Sequence, residues 1–426
     1  METIVDSILR DSGRILQDYR GLLGDISQQA ASLRERLINE GQIISLPELD
    51  DELVETFSLC SIDGASASEK LQTGDLMIAG SSLHDGARSK LVYEDDEDSI
   101  PSFSFADIRL HSSKNEKVLS SMRAFTEICV LGAADRHDMA IIDGAYLGNF
   151  LTIIFSLQES QETAERIIEA LGGSDADAFI AGLTKIFNLT NKTEDSQEIV
   201  ALAKSDTSNQ LVKEFIEGGS DLMTNDKILA RYLLKAGEIL RPRNIRSSSV
   251  KIEMVRENLE RPDFGWMGFK WPVKNVLSSE EFQRLERMFG LVSSKDKSKA
   301  STDDDIYSQF TYLIGEKNLN FTYFKPHNFD DTSHALRMEF TTMRTNAPET
   351  AKQHAERAME QAKRLAGYID ADVVTPSIKE PYSQYMVDRE VKKPVSSSMK
   401  LLKSILMEGV ADSGENAEDI LGSYRS

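Results

Sequence analysis

Two short apolar runs constrain the fold of this chain more than any other feature. Met139–Asp143 reads Met-Ala-Ile-Ile-Asp, and residues 198–203 read Glu-Ile-Val-Ala-Leu-Ala, with no alternation of polar and apolar side chains. Such runs are typical of central strands that are buried on both faces. Segments with helical spacing of apolar residues surround them, at 116–135 and 147–188. This alternation of strands and helices predicts a mixed α/β fold.

The same spacing predicts the remaining elements and their grouping. A long helix covers residues 1–40, and one further helix follows Asn346 and another follows Pro381. We expect an N-terminal helical unit at 1–45 for dimer or partner contact, a main domain at 46–395 with a helical insertion at about 155–197, and a C-terminal helix and tail at 396–426. Strands are predicted at 56–63, 75–83, 90–94, 306–314, 319–326 and 335–341.

The charge balance restricts the classes of partner. Lys and Arg number 49 against 70 Asp and Glu, which gives a net charge of −21. This argues against a protein that coats bare nucleic acid, since such affinity comes from Lys and Arg side chains on phosphates. A nucleic-acid substrate therefore requires a local basic region or a partner that supplies charge. Residues 231–275 are such a region, because ten Lys or Arg face five Asp or Glu there, a local net of +5.

Cysteine content and hydropathy predict the compartment. The two cysteines, Cys60 and Cys129, are too few for a disulfide framework or a Cys-rich zinc site. No stretch approaches the ~18 consecutive apolar residues of a membrane span. The first residues are acidic and amphipathic, unlike a signal peptide. We expect a cytoplasmic protein that does not enter a membrane.

One short sequence motif occurs at the ends of two of the predicted strands. Ser61-Ile-Asp63-Gly64-Ala65 and Ile141-Ile-Asp143-Gly144-Ala145 each end an apolar strand in Asp-Gly-Ala. One interpretation is a pair of turns, because Asp-Gly is a common turn dipeptide. The other places two carboxylates at the ends of neighbouring strands, facing one cleft. In that case each glycine permits the close approach of another group.

A third acid, Glu127, lies in the helical segment before the second strand. It is a lone acid among small and apolar residues, and a buried carboxylate must be paired or bind a metal. Arg123, four residues earlier, offers an intrahelical ion pair as the alternative. Three convergent carboxylates suit Mg²⁺ or Mn²⁺, which prefer oxygen ligands. Two such ions about 4 Å apart activate a water and stabilise the leaving oxygen in phosphodiester cleavage.

Cationic residues at two further strand ends are candidates for phosphate contact. Lys204 closes the apolar run 198–203, and the strand at 319–326 brings Lys325 and His327 to its end. The alternative is that both lysines are ordinary surface residues and that His327 is a loop histidine.

Taken in order, these pieces resemble the NurA nuclease family. The family pattern contains Asp-Gly after a first strand, Arg-x3-Glu in a helix, a second strand ending in Asp-Gly, a strand ending in Lys-Ser, a Tyr-x-Lys strand, an Arg-x-Glu strand and a C-terminal Tyr-Pro segment. The matching residues here are Asp63-Gly64, Arg123 to Glu127, Asp143-Gly144, Lys204-Ser205, Tyr323-Phe-Lys325, Arg337-Met-Glu339 and Pro381-Tyr382 to Asp388. Ala65 and Ser383 depart from the pattern, since Ser and Pro are common at these places.

The resemblance implies a ribonuclease-H-like mixed sheet core flanked by helices, with helical insertions and terminal helices. It also implies Mn²⁺- or Mg²⁺-dependent cleavage of DNA, a homodimer and a HerA-type hexameric ATPase as partner. By motif match, Asp63, Glu127 and Asp143 are metal ligands, and Asp388 is a further ligand where many relatives have His. Lys204 and Lys325 then contact phosphate. The remaining candidate substrate-binding residues are Arg123, Tyr323, His327 and Tyr382.

These observations predict a metal-dependent DNA nuclease that works with a translocase in DNA-end processing and repair or in anti-phage defence. Two alternatives stay open, a non-catalytic dimeric adaptor that docks on a motor ATPase, and another two-metal phosphotransfer enzyme such as an RNase. The chain has no Gly-rich loop ending in Gly-Lys-Ser or Gly-Lys-Thr, which excludes a P-loop ATPase. Energy for movement along DNA must come from a partner.

Overall fold

The computed structural model describes eight stretches of the chain. They are residues 4–93, 100–159, 175–187, 197–203, 208–216, 224–245, 319–342 and 350–422. Several sequence predictions lie outside them: Lys204, the strand at 306–314, part of the insertion at 155–197 and the basic stretch from residue 246 onward.

One mixed sheet organises the described residues. Its ten strands follow the order β1-β7-β9-β10-β6-β5-β2-β3-β4, with β8 paired to β9. The strands are β1 Ile43–Ser45, β2 Leu59–Lys70, β3 Asp75–Asp85, β4 Ser102–Arg109, β5 Met139–Asp143, β6 Glu198–Ala203, β7 Glu238–Leu240, β8 Arg243–Asn244, β9 Leu319–Lys325 and β10 Leu336–Thr341.

Half of this sheet has the ribonuclease-H-like arrangement. β2, β3 and β4 form an antiparallel meander. β5 then joins the other side of β2 in parallel, and β6 joins β5 in parallel. β10 extends the sheet antiparallel to β6, followed by β9 and β7. The predicted mixed α/β fold is confirmed.

Helices cover both faces of the sheet. They are α1 Ile4–Asn39, α2 Asp51–Thr56, α3 Asn115–Ala133, α4 Gly148–Glu159, α5 Ala176–Phe187, α6 Gln210–Phe215, α7 Asp226–Leu233, α8 Ala351–Ala371, α9 Tyr382–Asp412 and α10 Ala417–Leu421. In the described part of the chain, none of them is long and apolar enough to cross a membrane. α9 runs without a break through residue 395, where the sequence analysis ended the main domain.

The two faces of β5 explain its continuous apolar sequence. Ile142 packs into the core formed with α3, α4 and α5, which includes Phe125 and Phe150. Ile141 packs into the opposite core, together with Leu365 of α8. Because both faces of the strand are covered, its residues do not alternate between polar and apolar.

A third apolar cluster packs α9 against the meander of β2, β3 and β4. Val387, Val391, Val395 and Met399 recur every four residues and pack against Ala65, Leu76 and Ile78 of β2 and β3. This spacing places one side of the helix on the sheet along several turns. The beginning of α9 is thereby held close to the strand that carries Asp63.

The region after β3 differs from the sequence prediction. No strand forms at residues 90–93, because Asp85 Oδ2 instead accepts hydrogen bonds from the backbone N–H groups of Val92 and Tyr93. β4, which the sequence analysis did not predict, follows at Ser102–Arg109. It is the edge strand of the meander, and its residues alternate between exposed and half-buried.

Candidate active site

Asp63 and Asp143 lie side by side in neighbouring strands. β2 and β5 run parallel with Ile62 paired to Ile142, so the next residue of each strand is an aspartate. Asp63 is buried, whereas Asp143 is half-buried at the end of β5. The turn interpretation holds for Gly144, which has a φ of 95°. It is wrong for Gly64, because β2 continues to Lys70 and Gly64 lies within the strand.

Gly64 is required because Glu127 lies directly against it. A Cβ atom at position 64 would be 2.5 Å from Glu127 Oε1 and 2.6 Å from Ser81 Oγ. Neither distance is possible for a real Cβ atom. The glycine therefore allows the carboxylate of α3 to approach the backbone next to Asp63.

Glu127 is almost completely buried, with 4% of its surface exposed. Its Oε2 accepts a hydrogen bond of 2.6 Å from Asn149 Nδ2, and Arg123 Nε lies 3.4 Å from its Oε1. Burial raises the pKa of Glu127 to about 7, against the stabilising charge of Arg123 and the hydrogen bond from Asn149. The negative charges of Asp63 and Asp143 are smaller contributions to this raised value. The ion pair that the sequence suggested therefore forms, yet it compensates only part of the cost of burying this carboxylate.

Asp143 is contacted by α9. Gln384 Nε2 donates a hydrogen bond of 3.0 Å to Asp143 Oδ1, and Gln384 itself is buried. The preceding residue, Ser383, donates to Asp372 Oδ2 from both its backbone nitrogen and its hydroxyl group. Ser383 Oγ is also 2.7 Å from Ser61 Oγ of β2. These bonds fix the start of α9 at the strand that carries Asp63.

Sequence reasoning did not identify Asn149 and Gln384. Both are neutral amides, and each donates to one of the candidate carboxylates. Gln384 lies within the C-terminal segment that carried the resemblance, but no charge or metal-ligand spacing marked it. Only the placement of α4 and α9 reveals the two contacts.

Asp388 and Tyr382 occupy the first turns of α9. Asp388 is four residues after Gln384 and therefore on the same side of the helix. It is half-buried and forms an ion pair of 2.7 Å with Lys392. The Tyr382 ring lies edge-on to the His84 ring of β3, with 5.9 Å between their centroids.

Three other predicted residues are not brought to the carboxylates. β9 is separated from β5 by β10 and β6. Lys325 is fully buried, and its Nζ donates to the carbonyl groups of Asp331 and Arg231. His327 Nδ1 is 2.6 Å from Asp370 Oδ2, and Tyr323 is a buried core residue. The structure thus gives no support to a phosphate contact by Lys325, which stays a prediction.

The donor types at this site fit a hard divalent cation. Asp63, Glu127 and Asp143 supply carboxylate oxygens, which Mg²⁺ and Mn²⁺ prefer. The negative charges of Asp63 and Asp143 contribute to the raised pKa of Glu127, after the larger effect of its burial. Among the described residues, however, no three His, Cys, Asp or Glu side chains are close enough together to hold one ion. Coordination by all three acids therefore requires side-chain movement.

Comparisons with known proteins returned solved structures alone. No family model matches the sequence. No curated protein matches it either. Among the similar structures, the NurA nuclease from Sulfolobus solfataricus is 12% identical, with coverage of 96% of this chain and 98% of that chain and a TM-score of 0.49.

A structure of NurA with manganese is 11% identical, with coverage of 93% and 98% and a TM-score of 0.49. A structure of NurA bound to dAMP and manganese is 10% identical, with coverage of 80% and 87% and a TM-score of 0.31. All three are NurA structures. In the first two comparisons, the similarity extends over nearly the whole length of both chains.

Proposed function

We propose that this chain is a metal-dependent nuclease that hydrolyses phosphodiester bonds in DNA. One observation carries the proposal: carboxylates from three separate elements converge, with Asp63 and Asp143 on adjacent strands and Glu127 against Gly64. The ordered motifs that resemble the NurA family support the same function. Mn²⁺ or Mg²⁺ is the proposed cofactor, with Asp63, Glu127 and Asp143 as its ligands.

The chain's own residues prepare this site in distinct ways. Gln384 and Asn149 orient Asp143 and Glu127 through neutral hydrogen bonds, which leave the carboxylate charges available. Arg123 is half-exposed beside Glu127, where its guanidinium group can donate hydrogen bonds to a phosphate oxygen. When bound, the divalent cation supplies positive charge for the attacking water and the scissile phosphate. Asp388 is proposed as a further ligand from α9.

Partners and pathway are proposed from the sequence resemblance. They are a homodimer and a HerA-type hexameric ATPase, acting in DNA-end processing and repair or in anti-phage defence. The exposed part of α1 supports a contact role for this helix, because Ile15, Leu16 and Tyr19 are each at least 50% exposed. The same feature favours the alternative of a non-catalytic adaptor. The cytoplasmic location stays a prediction.

The test is cleavage of end-labelled linear DNA in Mn²⁺ or Mg²⁺ by wild type and Asp143→Asn. Asp138→Asn is the matched control, because Asp138 precedes the same strand and its carboxylate binds Ser58. We expect the Asp143 variant to lose cleavage at an unchanged melting temperature, whereas the control still cuts.

Each other outcome selects an alternative. Equal cleavage by the Asp143 variant would refute the assignment of this residue. Cleavage of RNA but not of DNA identifies an RNase, which the same carboxylates would serve. No cleavage, with or without a co-purified hexameric ATPase and ATP, favours the adaptor.

A further inference from the structure

α9 begins at the candidate site and leads away from it. Gln384 contacts Asp143, and Asp388 follows one turn later. Val387, Val391 and Val395 lie on the same side of the helix as Gln384 and pack it against the sheet. The exposed flank is the opposite side of the helix, and it begins at Arg389, five residues after Gln384.

This exposed flank is basic. Arg389, Lys392, Lys393 and Lys400 are all exposed. Their positions are 3, 4 and 11 residues after Arg389, which places them on one side of a helix with 3.6 residues per turn. We call these four residues the basic flank.

Few acidic residues lie in the same segment as the basic flank or form ion pairs with it. Between residues 389 and 407 the sequence contains five Lys or Arg and a single acid, Glu390, in a chain with a net charge of −21. Glu390 Oε2 is 3.0 Å from His84 Nδ1. Asp388 pairs with Lys392, and Glu69 of β2 pairs with Lys403. In the described part of the chain, no acid forms an ion pair with Lys393 or Lys400.

The basic region predicted at 231–275 does not supply this charge in its described part. Arg243 pairs with Glu214 and lies over the Phe215 ring, and Arg241 Nε donates to the carbonyl group of Gly41. Both arginines lie around β7 and β8, and β9, β10 and β6 separate these strands from β5. α9 instead packs on β2 and β3, and β2 carries Asp63 and is the neighbour of β5.

The length of the charged segment suits a nucleic-acid backbone. From Arg389 to Lys403 the helix rises about 21 Å at ~1.5 Å per residue. One strand of a duplex advances about 3.4 Å per phosphate, so this length corresponds to about six phosphates. Acids then follow along the chain at Glu408, Asp412, Glu415, Glu418 and Asp419. These acids disfavour a longer contact with a polyanion.

We propose that the basic flank is the surface along which the phosphodiester backbone of the substrate lies as it enters the candidate site. The proposal rests on the proposed nuclease function and adds where the substrate binds. Arg389 lies over the Tyr385 ring at 5.4 Å, which holds one cation of the flank near the first turns of α9. The flank also explains how an acidic protein binds an acidic substrate beside three carboxylates.

The test measures DNA binding separately from cleavage. We would compare wild type, the double variant Lys393→Glu with Lys400→Glu, and the matched double variant Lys90→Glu with Lys352→Glu. Lys90 and Lys352 are exposed, lie outside α9 and give the same change in net charge. The probe is a fluorescent DNA 20-mer, single-stranded or duplex, titrated in EDTA over a series of salt concentrations.

We expect the α9 variant to bind about tenfold more weakly at low salt. The slope of log K against log salt should fall in magnitude by about 1.4 to 1.8, since each phosphate contact contributes about 0.7 to 0.9. The control should keep the wild-type slope. An RNA of the same sequence should show the same change, because the backbone phosphates are shared.

Three outcomes would overturn the proposal: equal slopes for the two double variants, wild-type binding too weak to measure at low salt, or loss of an acidic protein partner with unchanged DNA binding. Because EDTA prevents metal-dependent cleavage, the assay does not depend on catalysis. A changed slope in a protein that never cuts would refute the nuclease function alone. Metal-dependent cleavage with an unchanged slope would refute the surface alone.

Discussion

The side-chain amide of Gln384 donates a hydrogen bond of 3.0 Å to Asp143 Oδ1, although 241 residues separate the two in the chain. Gln384 is buried and Asp143 is only half-buried, so the orientation of the carboxylate is set from the protein side. Ser383, next to Gln384, is bound to both Asp372 and Ser61. The position of Asp143 at the candidate site therefore depends on how α9 docks on the sheet.

Replacing Gln384 by Leu should weaken metal use with little effect on stability. The variant loses the group that orients Asp143, and such outer contacts are typically worth about 10- to 100-fold in metal affinity or activity. Leu fills a similar volume, and water can reach the half-buried carboxylate. The measurement is the Mn²⁺ concentration for half-maximal cleavage, together with the melting temperature.

Gln361→Leu is the matched control for that variant. Gln361 is also buried, but it bonds Glu198 and the carbonyl group of Thr341 on a different part of the sheet. This control should lower the melting temperature and leave the Mn²⁺ dependence unchanged. A normal Mn²⁺ dependence in Gln384→Leu would show that the hydrogen bond to Asp143 has no role in metal binding.

Gly64→Ala should abolish or strongly reduce cleavage. The added Cβ would lie 2.5 Å from Glu127 Oε1 and 2.6 Å from Ser81 Oγ, so the carboxylate must move away from Asp63. Overpacking of this kind also costs about 1–3 kcal/mol of stability. The control is Gly80→Ala in β3, where the nearest contact is 3.3 Å from a methyl group of Val395. Equal activity of the two variants would contradict the placement of Glu127.

Asp372 should make stability depend on pH below neutrality. Burial raises its pKa from about 3.8 to about 6, although Ser383 and Ala87 donate hydrogen bonds to it. Between these two values the folded state binds more protons than the unfolded state, so the free energy of unfolding falls as pH rises. Above pH 6 the free energy of unfolding has fallen by the full amount, which is about 3 kcal/mol for a shift of about two pKa units.

Asp372→Asn removes this titration. The free energy of unfolding, measured in urea between pH 4 and 7, should therefore shift in favour of the variant as pH increases. The comparison at each pH cancels the contributions of other groups. A constant difference between the two proteins across this range would disprove the raised pKa.

Glu339→Ala should destabilise the fold more than most single changes. Glu339 is buried, accepts a hydrogen bond of 2.8 Å from the Tyr146 backbone and pairs with Arg337 at 2.7 Å. Arg337 is also buried, so the variant removes a carboxylate from a buried guanidinium group, and breaking such a buried pair typically costs about 3–5 kcal/mol. Urea unfolding measures this loss.

The double variant Arg337→Met with Glu339→Leu separates the ion pair from packing. Replacing a buried pair by apolar residues of similar size is often neutral, so the double variant should recover much of the stability. If it is as unstable as Glu339→Ala alone, the hydrogen bond to the Tyr146 backbone is the main contribution.

Much of the central sheet was predictable because its signals are local. Continuous apolar runs marked β5 and β6, and spacing every three or four residues marked α3, α8 and α9. β4 was missed at the edge of the meander. Its Ser-Phe-Ser-Phe sequence alternates between exposed and half-buried positions, and it follows a run of five acidic residues at 94–98.

The phosphate contacts of Lys204 and Lys325 stay predictions, and Lys204 lies outside the described residues. Lys325 follows an apolar run, a pattern that also suits a lysine facing a phosphate. In the structure its Nζ is satisfied by the carbonyl groups of Asp331 and Arg231 and does not approach the acids. The proposed basic flank lies on α9, whose basic residues no motif had marked.

The sequence alone determined that Asp63 and Asp143 follow apolar strand segments and that Glu127 lies on a helix. Each of these depends on the periodicity of a few neighbouring residues. Only the tertiary structure decided that Glu127 lies against Gly64, that Asn149 and Gln384 donate to the carboxylates, and that α9 carries its cations away from them. These relationships join residues far apart in the chain, so they depend on strand register and helix docking, which local sequence patterns do not encode.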